Sequence, residues 1–324
     1  MTRPLSIQRR NALKAIVATL PALAIGRAFA QDRPATVRIG YQKSSTLITV
    51  LKTRGTLEQK LAPLGVKVSW HEFASGLPLL EALNVGSVDV SADVADTVPV
   101  FALAAGANLT YLAQEAPSPT AQAIVVKADS PIRSVADLKG KRVGFAKAAG
   151  VHYLLIAALE KSGLSFKDIQ PAYLAPADGR AAFERDAIDA WVVWDPFLSA
   201  VQRQAKVRVL ADGTNLAQYQ RYYLASTPFA QARPDVIKVI YDALADSGKW
   251  VKQSPKDAAA LLAPVWGLDE ATVEQANGRR SYDVRLVQPE RLQEQQAIAD
   301  TFTREGLLPR KVNATSVPVW KPVL

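Results

Sequence analysis

The sequence predicts an α/β protein of two lobes, each a mostly parallel sheet flanked by helices, with two crossing segments as a hinge. Three observations lead to this. Short apolar strands alternate with helix-length runs from Val37 to about Leu210. The alternation breaks at Ala116-Pro117-Ser118-Pro119 and then resumes. From Pro234 onward the pattern is helical. At 324 residues and 49% apolar composition, the chain can bury one large or two ordinary cores.

The first thirty residues read as an export signal, not as fold. Arg9-Arg10-Asn11-Ala12-Leu13-Lys14 is a basic start, Ala15 to Ile25 is an apolar run too short to span a bilayer, and Ala28-Phe29-Ala30 is a cleavage site. The mature chain is expected to begin at Gln31 and to be periplasmic. The paired arginines fit either a twin-arginine or a general secretory route. Removing Arg3, Arg9, Arg10, Lys14 and Arg27 lowers the formal charge from +9 to +4, too mild to indicate nucleic acid. There is no cysteine, so there is no disulfide, catalytic thiol or lipid-modified cysteine. No later run is long and apolar enough to cross a membrane, and a soluble monomer is expected.

Val37 to Tyr41 alternates as a strand, Gln42 to Thr46 is a polar turn, and a helix is expected from Thr46 to Leu61. Val66 to Phe73 is the second strand. Ser75-Gly76 then opens a helix that stops near Gly86, with Ser75 as its cap. Val88 to Ala92 is the third strand, the segment at Asp93 to Asp96 opens a helix through Pro99 to Ala105, and Leu109 to Ala113 is the fourth strand. The second lobe holds strands Ala121–Lys127, Arg142–Ala146, Ile169–Leu174, Ala190–Trp194 and Val207–Leu210. Its helices are Val151–Lys161, Ala177–Phe183 and one opened by Asp195-Pro196, with Asp195 as N-cap and Pro196 at the first helical position. Arg221 to Ala225 returns the chain to the first lobe. The expected division is residues 31–118 with 226–324 for lobe 1 and 119–225 for lobe 2, closing about segments near Pro117–Ala121 and Ala225–Pro228.

The candidate site gathers at helix N-termini that follow strands: Ser75-Gly76, Asp93-Val94 through Asp96, Ala149-Gly150 and Asp195. Each offers unpaired N–H groups and a positive dipole end, which suit an anion without a buried basic residue. On a strand Trp191 and Trp194 point to opposite faces, so one indole is core and the other is free to line a pocket. His152 could donate to a ligand oxygen, though a lone buried imidazole is ordinarily a hydrogen-bonded structural residue. Glu115, just before Pro117, is expected to face the cleft. There is no HExxH, no clustered His/Asp/Glu, and no GxSxG, Walker A or GxGxxG, so no metal, cofactor or catalytic residue is expected.

Asp189-Ala190-Trp191-Val192-Val193-Trp194-Asp195-Pro196-Phe197 resembles the aliphatic-sulfonate substrate-binding proteins of ABC importers, within the taurine, nitrate and thiamine-precursor binding superfamily. Arg38 to Lys43, Leu80 to Asp89, Pro99 to Gly106, Val135 to Gly144 and Pro176 to Phe183 are similar to the same group. The resemblance implies a small organic anion as ligand, an aliphatic sulfonate first with taurine, nitrate, an aromatic acid or a thiamine precursor as alternatives, and a membrane permease as partner. It implies ligand contacts at Gln42, Ser75, Gly76, Gly150, Trp191 and Trp194. Two loops depart from the pattern. Ser91 to Asp96 is one residue longer, and Lys147-Ala148-Ala149-Gly150-Val151-His152 lacks the usual hydroxyls. A drier pocket favours a longer tail over taurine, unless Asp93 or Glu115 meets an ammonium. The thiamine-pyrimidine synthases that share the superfamily use a cysteine-rich motif, which this chain does not have.

Overall fold

The computed structural model describes residues 35–322. The expected export signal lies outside the described residues. In chain order the elements begin with strand β1 (Thr36–Gln42), helices α1 (Thr46–Arg54) and α2 (Thr56–Leu61), β2 (Lys67–Phe73), α3 (Gly76–Asn84), β3 (Val90–Ala95), α4 (Thr97–Ala104) and β4 (Leu109–Glu115). Then come β5 (Gln122–Lys127), β6 (Arg142–Phe145), α5 (Gly150–Lys161), β7 (Gln170–Tyr173), α6 (Pro176–Glu184), β8 (Ala190–Trp194), α7 (Phe197–Gln204) and β9 (Val207–Asp212). The chain finishes with β10 (Arg221–Ser226), α8 (Thr227–Ala232), α9 (Pro234–Gln253), α10 (Pro255–Trp266), α11 (Glu270–Arg279), β11 (Val284–Arg285) and α12 (Leu292–Arg304).

These strands form two sheets, ordered β11-β4-β10-β3-β1-β2 and β7-β6-β8-β5-β9. The chain leaves the first sheet after Glu115, enters the second at Gln122, leaves it after Asp212 and returns at Arg221. This is the expected two-lobed α/β architecture, but both sheets are mixed. β1 runs parallel to β2 and β3, while β10 lies antiparallel between β3 and β4. In the second sheet β6 is parallel to β7 and β8, and β5 is antiparallel to β8 and β9. β11 is antiparallel to β4 as well, and the other two antiparallel members, β5 and β10, are the strands that follow the crossings. The expected boundary at 225/226 therefore falls too late: β10 is a member of the first sheet, so the return crossing precedes Arg221.

Local corrections have local causes. Gly55 adopts a left-handed conformation, which divides the single helix expected over Thr46–Leu61. β3 runs three residues beyond Ala92, so Asp93 and Val94 lie in a strand and α4 is capped by Asp96. α7 starts at Phe197, after a cis Asp195–Pro196 peptide, and the side chain of Asp195 accepts from the N–H of Ser199 at 2.9 Å. β11 was not expected; it is two residues long and its pattern carries no period.

The largest apolar cluster runs from α3, α4 and α12 across to α5 and the inner face of β5, β6 and β8. α4 is apolar on every side and almost wholly buried, as a helix packed all round must be. A second cluster packs α1, α9 and α10 on the opposite face of the first sheet, and a third packs α6 and α7 on the outer face of the second.

Gly248, within α9, is set by a close approach. A Cβ there would lie 2.1 Å from the carbonyl oxygen of Tyr282, whose hydroxyl meets Thr46 and Asn277 at 2.7 Å. Helix-interior glycine ordinarily costs about 1 kcal/mol relative to alanine. Gly248→Ala should nonetheless destabilise, by roughly 1–3 kcal/mol, because the obstacle is backbone. Gly278→Ala, with open space at its Cβ, should stabilise by about 0.5–1 kcal/mol. Urea unfolding of the two variants checks the opposite signs.

Candidate functional site

The ends of β1, β3, β6 and β8 meet where the lobes face each other. At the end of β1 the side-chain amide of Gln42 donates to the carbonyl of Asp93 at 3.0 Å. The next turn places Ser44, buried, where its hydroxyl accepts from the indole N–H of Trp194 at 3.3 Å. Trp194 thus reaches from the second sheet to the first. Trp191 points the other way: it packs on Phe183 and over Gly179, where a Cβ would lie 2.5 Å from its indole nitrogen. Alternation along β8 separates the two rings, so Trp191 is core and lines no cleft.

Ser75 and Gly76 begin α3, and Ala149 and Gly150 begin α5, neither with a side-chain cap. Their first N–H groups therefore remain for another acceptor. Gly76 lets α3 approach Val94 and Val98, and Val94 itself is wholly buried there as core. Gly150 is overlain by Tyr219, whose ring would meet a Cβ at 2.7 Å. Tyr219 and Ala148 both have positive φ, 50° and 62°, conformations that cost a non-glycine residue about 1–2 kcal/mol. Such strain concentrates at functional sites. The carbonyl of Ala148 accepts from the hydroxyl of Thr97 at 2.7 Å, a direct bond between lobes.

His152 lies in the interior. It is fully buried among Phe101, Phe145, Phe166, Tyr173 and Phe302, and its Nδ1 accepts from the N–H of Ala148 at 3.3 Å. Burial, helped by Lys147, lowers its pKa to about 3, so the ring is neutral.

Asp93 and Glu115 are not free carboxylates either. Asp93 Oδ2 meets Arg221 at 2.6 Å and Arg280 at 3.1 Å, and Glu115 Oε2 meets Arg280 at 2.6 Å. Tyr223 donates to Glu115 and Arg221 donates to the hydroxyl of Tyr219, both at 2.7 Å. All four charged side chains are buried. Burial alone would lower the arginine pKa values, but the carboxylates hold both above the ordinary range.

Asp195 is buried and accepts from the hydroxyl of Ser199 at 2.6 Å and from Arg279 at 3.2 Å. Asp96 exchanges backbone and side-chain bonds with Gln220 and borders a cavity of about 190 Å³ shared with Tyr153, Tyr222 and Gln295. Among the described residues no group of three or more His, Cys, Asp or Glu could hold a metal. Sequence reasoning missed Ser44, Gln122, Tyr219, Arg221, Arg279 and Arg280. A signal was present for Arg221: an arginine heading the otherwise apolar run Tyr222 to Ala225 must find a buried partner.

Desolvation raises Asp96 to about 7 and Asp195 to about 6, against their bonded neighbours. The folded chain therefore holds protons that the unfolded chain releases. The stability these protons confer is fully present below about pH 4 and is lost as pH rises through 6 to 7. Asp96→Asn removes one such group, so its Tm relative to the wild type should increase from pH 4 to pH 8. A pH-independent difference would contradict this assignment.

The NMT1/THI5-like family matches residues 62–258. A protein of Escherichia coli (strain K12) named for binding aliphatic sulfonates is 40% identical, over 97% of each chain. The taurine-binding periplasmic protein of the same organism is 27% identical over 83% of this chain and 82% of its own. The alkanesulfonate-binding protein SsuA from Xanthomonas axonopodis pv. citri, solved bound to MOPS, superposes with a TM-score of 0.84 at 39% identity. The match covers 89% of this chain and 99% of that one.

Proposed function

Because the chain belongs to the NMT1/THI5-like family, among its aliphatic-sulfonate-binding members, we propose that it is a periplasmic solute-binding protein. It captures a small organic anion, an aliphatic sulfonate first, between its lobes and delivers it to the membrane permease of an ABC importer. The observation that carries this reading is the 40% identity over 97% of both chains with a sulfonate binder. The geometry supports it through uncapped helix starts at Gly76 and Gly150, with the Trp194 ring at the lobe boundary. A sulfonate remains ionised at physiological pH and accepts hydrogen bonds without donating any, as such N–H groups require.

In this reading Gln42, Ser44, Ser75, Gly76, Ala149, Gly150 and Trp194 line the site, and the lobes close about residues 116–121 and 213–220. The protein captures its ligand without altering it, acts as a monomer, and is exported with removal of residues 1–30. The basic start and the Ala28-Phe29-Ala30 site support the last point.

A thermal-shift panel of alkyl and aromatic sulfonates, taurine, nitrate, sulfate, matched carboxylates and a pyrimidine tests the ligand class. A true ligand at a hundred times its Kd should add about 2.7 kcal/mol of stability and be recovered unchanged by mass spectrometry. Stabilisation by carboxylates or the pyrimidine, and by no sulfonate, would overturn the sulfonate assignment. Trp194→Ala should lose affinity, whereas Trp191→Ala should lose about 3–5 kcal/mol of unliganded stability.

A further inference from the structure

The third strand carries an irregularity just before Asp93's neighbour Val94. In the β3–β10 ladder Ser91 opposes Leu224, and Val94 opposes Tyr222. Three steps on β3 are matched by two on β10, which makes a β-bulge at Ala92-Asp93. Bulges re-aim side chains beside functional sites. Here the bulge accompanies the inward turn of Asp93 toward Arg221 and Arg280.

The resulting cluster is incompletely satisfied. Every guanidinium contact of Asp93 falls on Oδ2 or on its backbone carbonyl, and Oδ1 is buried with no hydrogen-bond partner among the described residues. Arg280 uses Nη2 for both Asp93 and Glu115, and its Nε–H is likewise buried and unpartnered. An open acceptor and an open donor therefore belong to two bonded side chains. The same pair occurs at the second lobe. Gln122, directly opposite Trp194 in the β5–β8 ladder, is fully buried with both ends of its amide unpartnered. Buried polar atoms are ordinarily matched by a partner, so such open atoms ask for one. A ligand of acceptor atoms alone would meet Arg280 Nε–H but leave Asp93 Oδ1 open. The Asp93 carbonyl bond to Gln42 and the Tyr219 ring over Gly150 tie this cluster to the proposed cleft.

We propose that Asp93 is a specificity-determining residue that selects organosulfonates bearing a hydrogen-bond donor, a hydroxyl or an ammonium, on the carbon tail. This rests on the sulfonate-binding reading above. The sulfonate keeps the backbone N–H groups, while the tail donor meets Asp93 Oδ1. Sites built to hydrogen-bond a substrate group discriminate strongly against the analogue lacking it.

Three sulfonates of matched heavy-atom count isolate the effect: propane-1-sulfonate, isethionate and taurine, titrated calorimetrically into the full mature chain. At least one donor-bearing ligand should bind about tenfold tighter than propane-1-sulfonate, or more. Asp93→Asn should bring the three within about threefold of one another, whereas a merely structural Asp93 would lower stability and keep the ratio. Equal or tighter binding of propane-1-sulfonate by the wild type would overturn the proposal and leave the sulfonate reading intact. Retention of the ratio in Asp93→Asn would also overturn it. Failure of every sulfonate in the earlier panel would remove both. If Asp93→Asn does not fold, the wild-type ratio alone decides.

Discussion

Two arginines and two carboxylates buried at one point constrain much of this structure. Arg221 heads the strand that returns from the second lobe, Arg280 follows α11, Asp93 lies on the bulged third strand, and Glu115 ends the strand before the first crossing. Four distant parts of the chain are therefore pinned together beneath both crossings. Removing one partner from such a pair typically costs 3–5 kcal/mol, because the survivor is left charged and dry. The cluster also fixes Tyr219 through Arg221, and Tyr219 in turn covers the start of α5.

Around that point the lobes touch through directional side-chain bonds, with further pairs Arg304–Glu160 and Gln275–Gln202 at the periphery. Thr97 reaches Ala148, Ser44 receives Trp194, and Arg279 meets Asp195. Beside them runs apolar contact, in which Phe101 and Phe302 of the first lobe surround His152 of the second. Bonds of this kind can be exchanged for bonds to a ligand at little net loss, whereas the apolar contact keeps the lobes associated. That division of labour suits a protein that must hold a small polar molecule and later release it.

The strand and helix order was legible because apolar periodicity and breakers are local signals. The parallel core of each sheet followed from β–α alternation. The antiparallel insertion of β5 and β10 did not, since it depends on where the crossings re-enter. Of the proposed site, the helix starts at Ser75-Gly76 and Gly150 were expected from strand–helix junctions, and Gln42 and Trp194 from the family resemblance; the structure places Gln42 at the end of β1 and Trp194 at the lobe boundary. Trp191 and His152 were candidates as conspicuous residue types, yet both are held by packing that only the tertiary structure reveals. Asp93 and Glu115 were read as carboxylates near an anion. Their partners, Arg221 and Arg280, lie 128 and 165 residues away in sequence, beyond the reach of any local pattern. The bulge beside Asp93 depends on the register of β10, which no local pattern carries.

If a sulfonate occupies the boundary between the lobes, a crystal structure of the mature protein with a bound sulfonate should show sulfonate oxygens on the N–H groups at the starts of α3 and α5, with the tail against the Trp194 ring. A sulfonate bound outside this boundary, or against the Trp191 face of the second sheet, would contradict it.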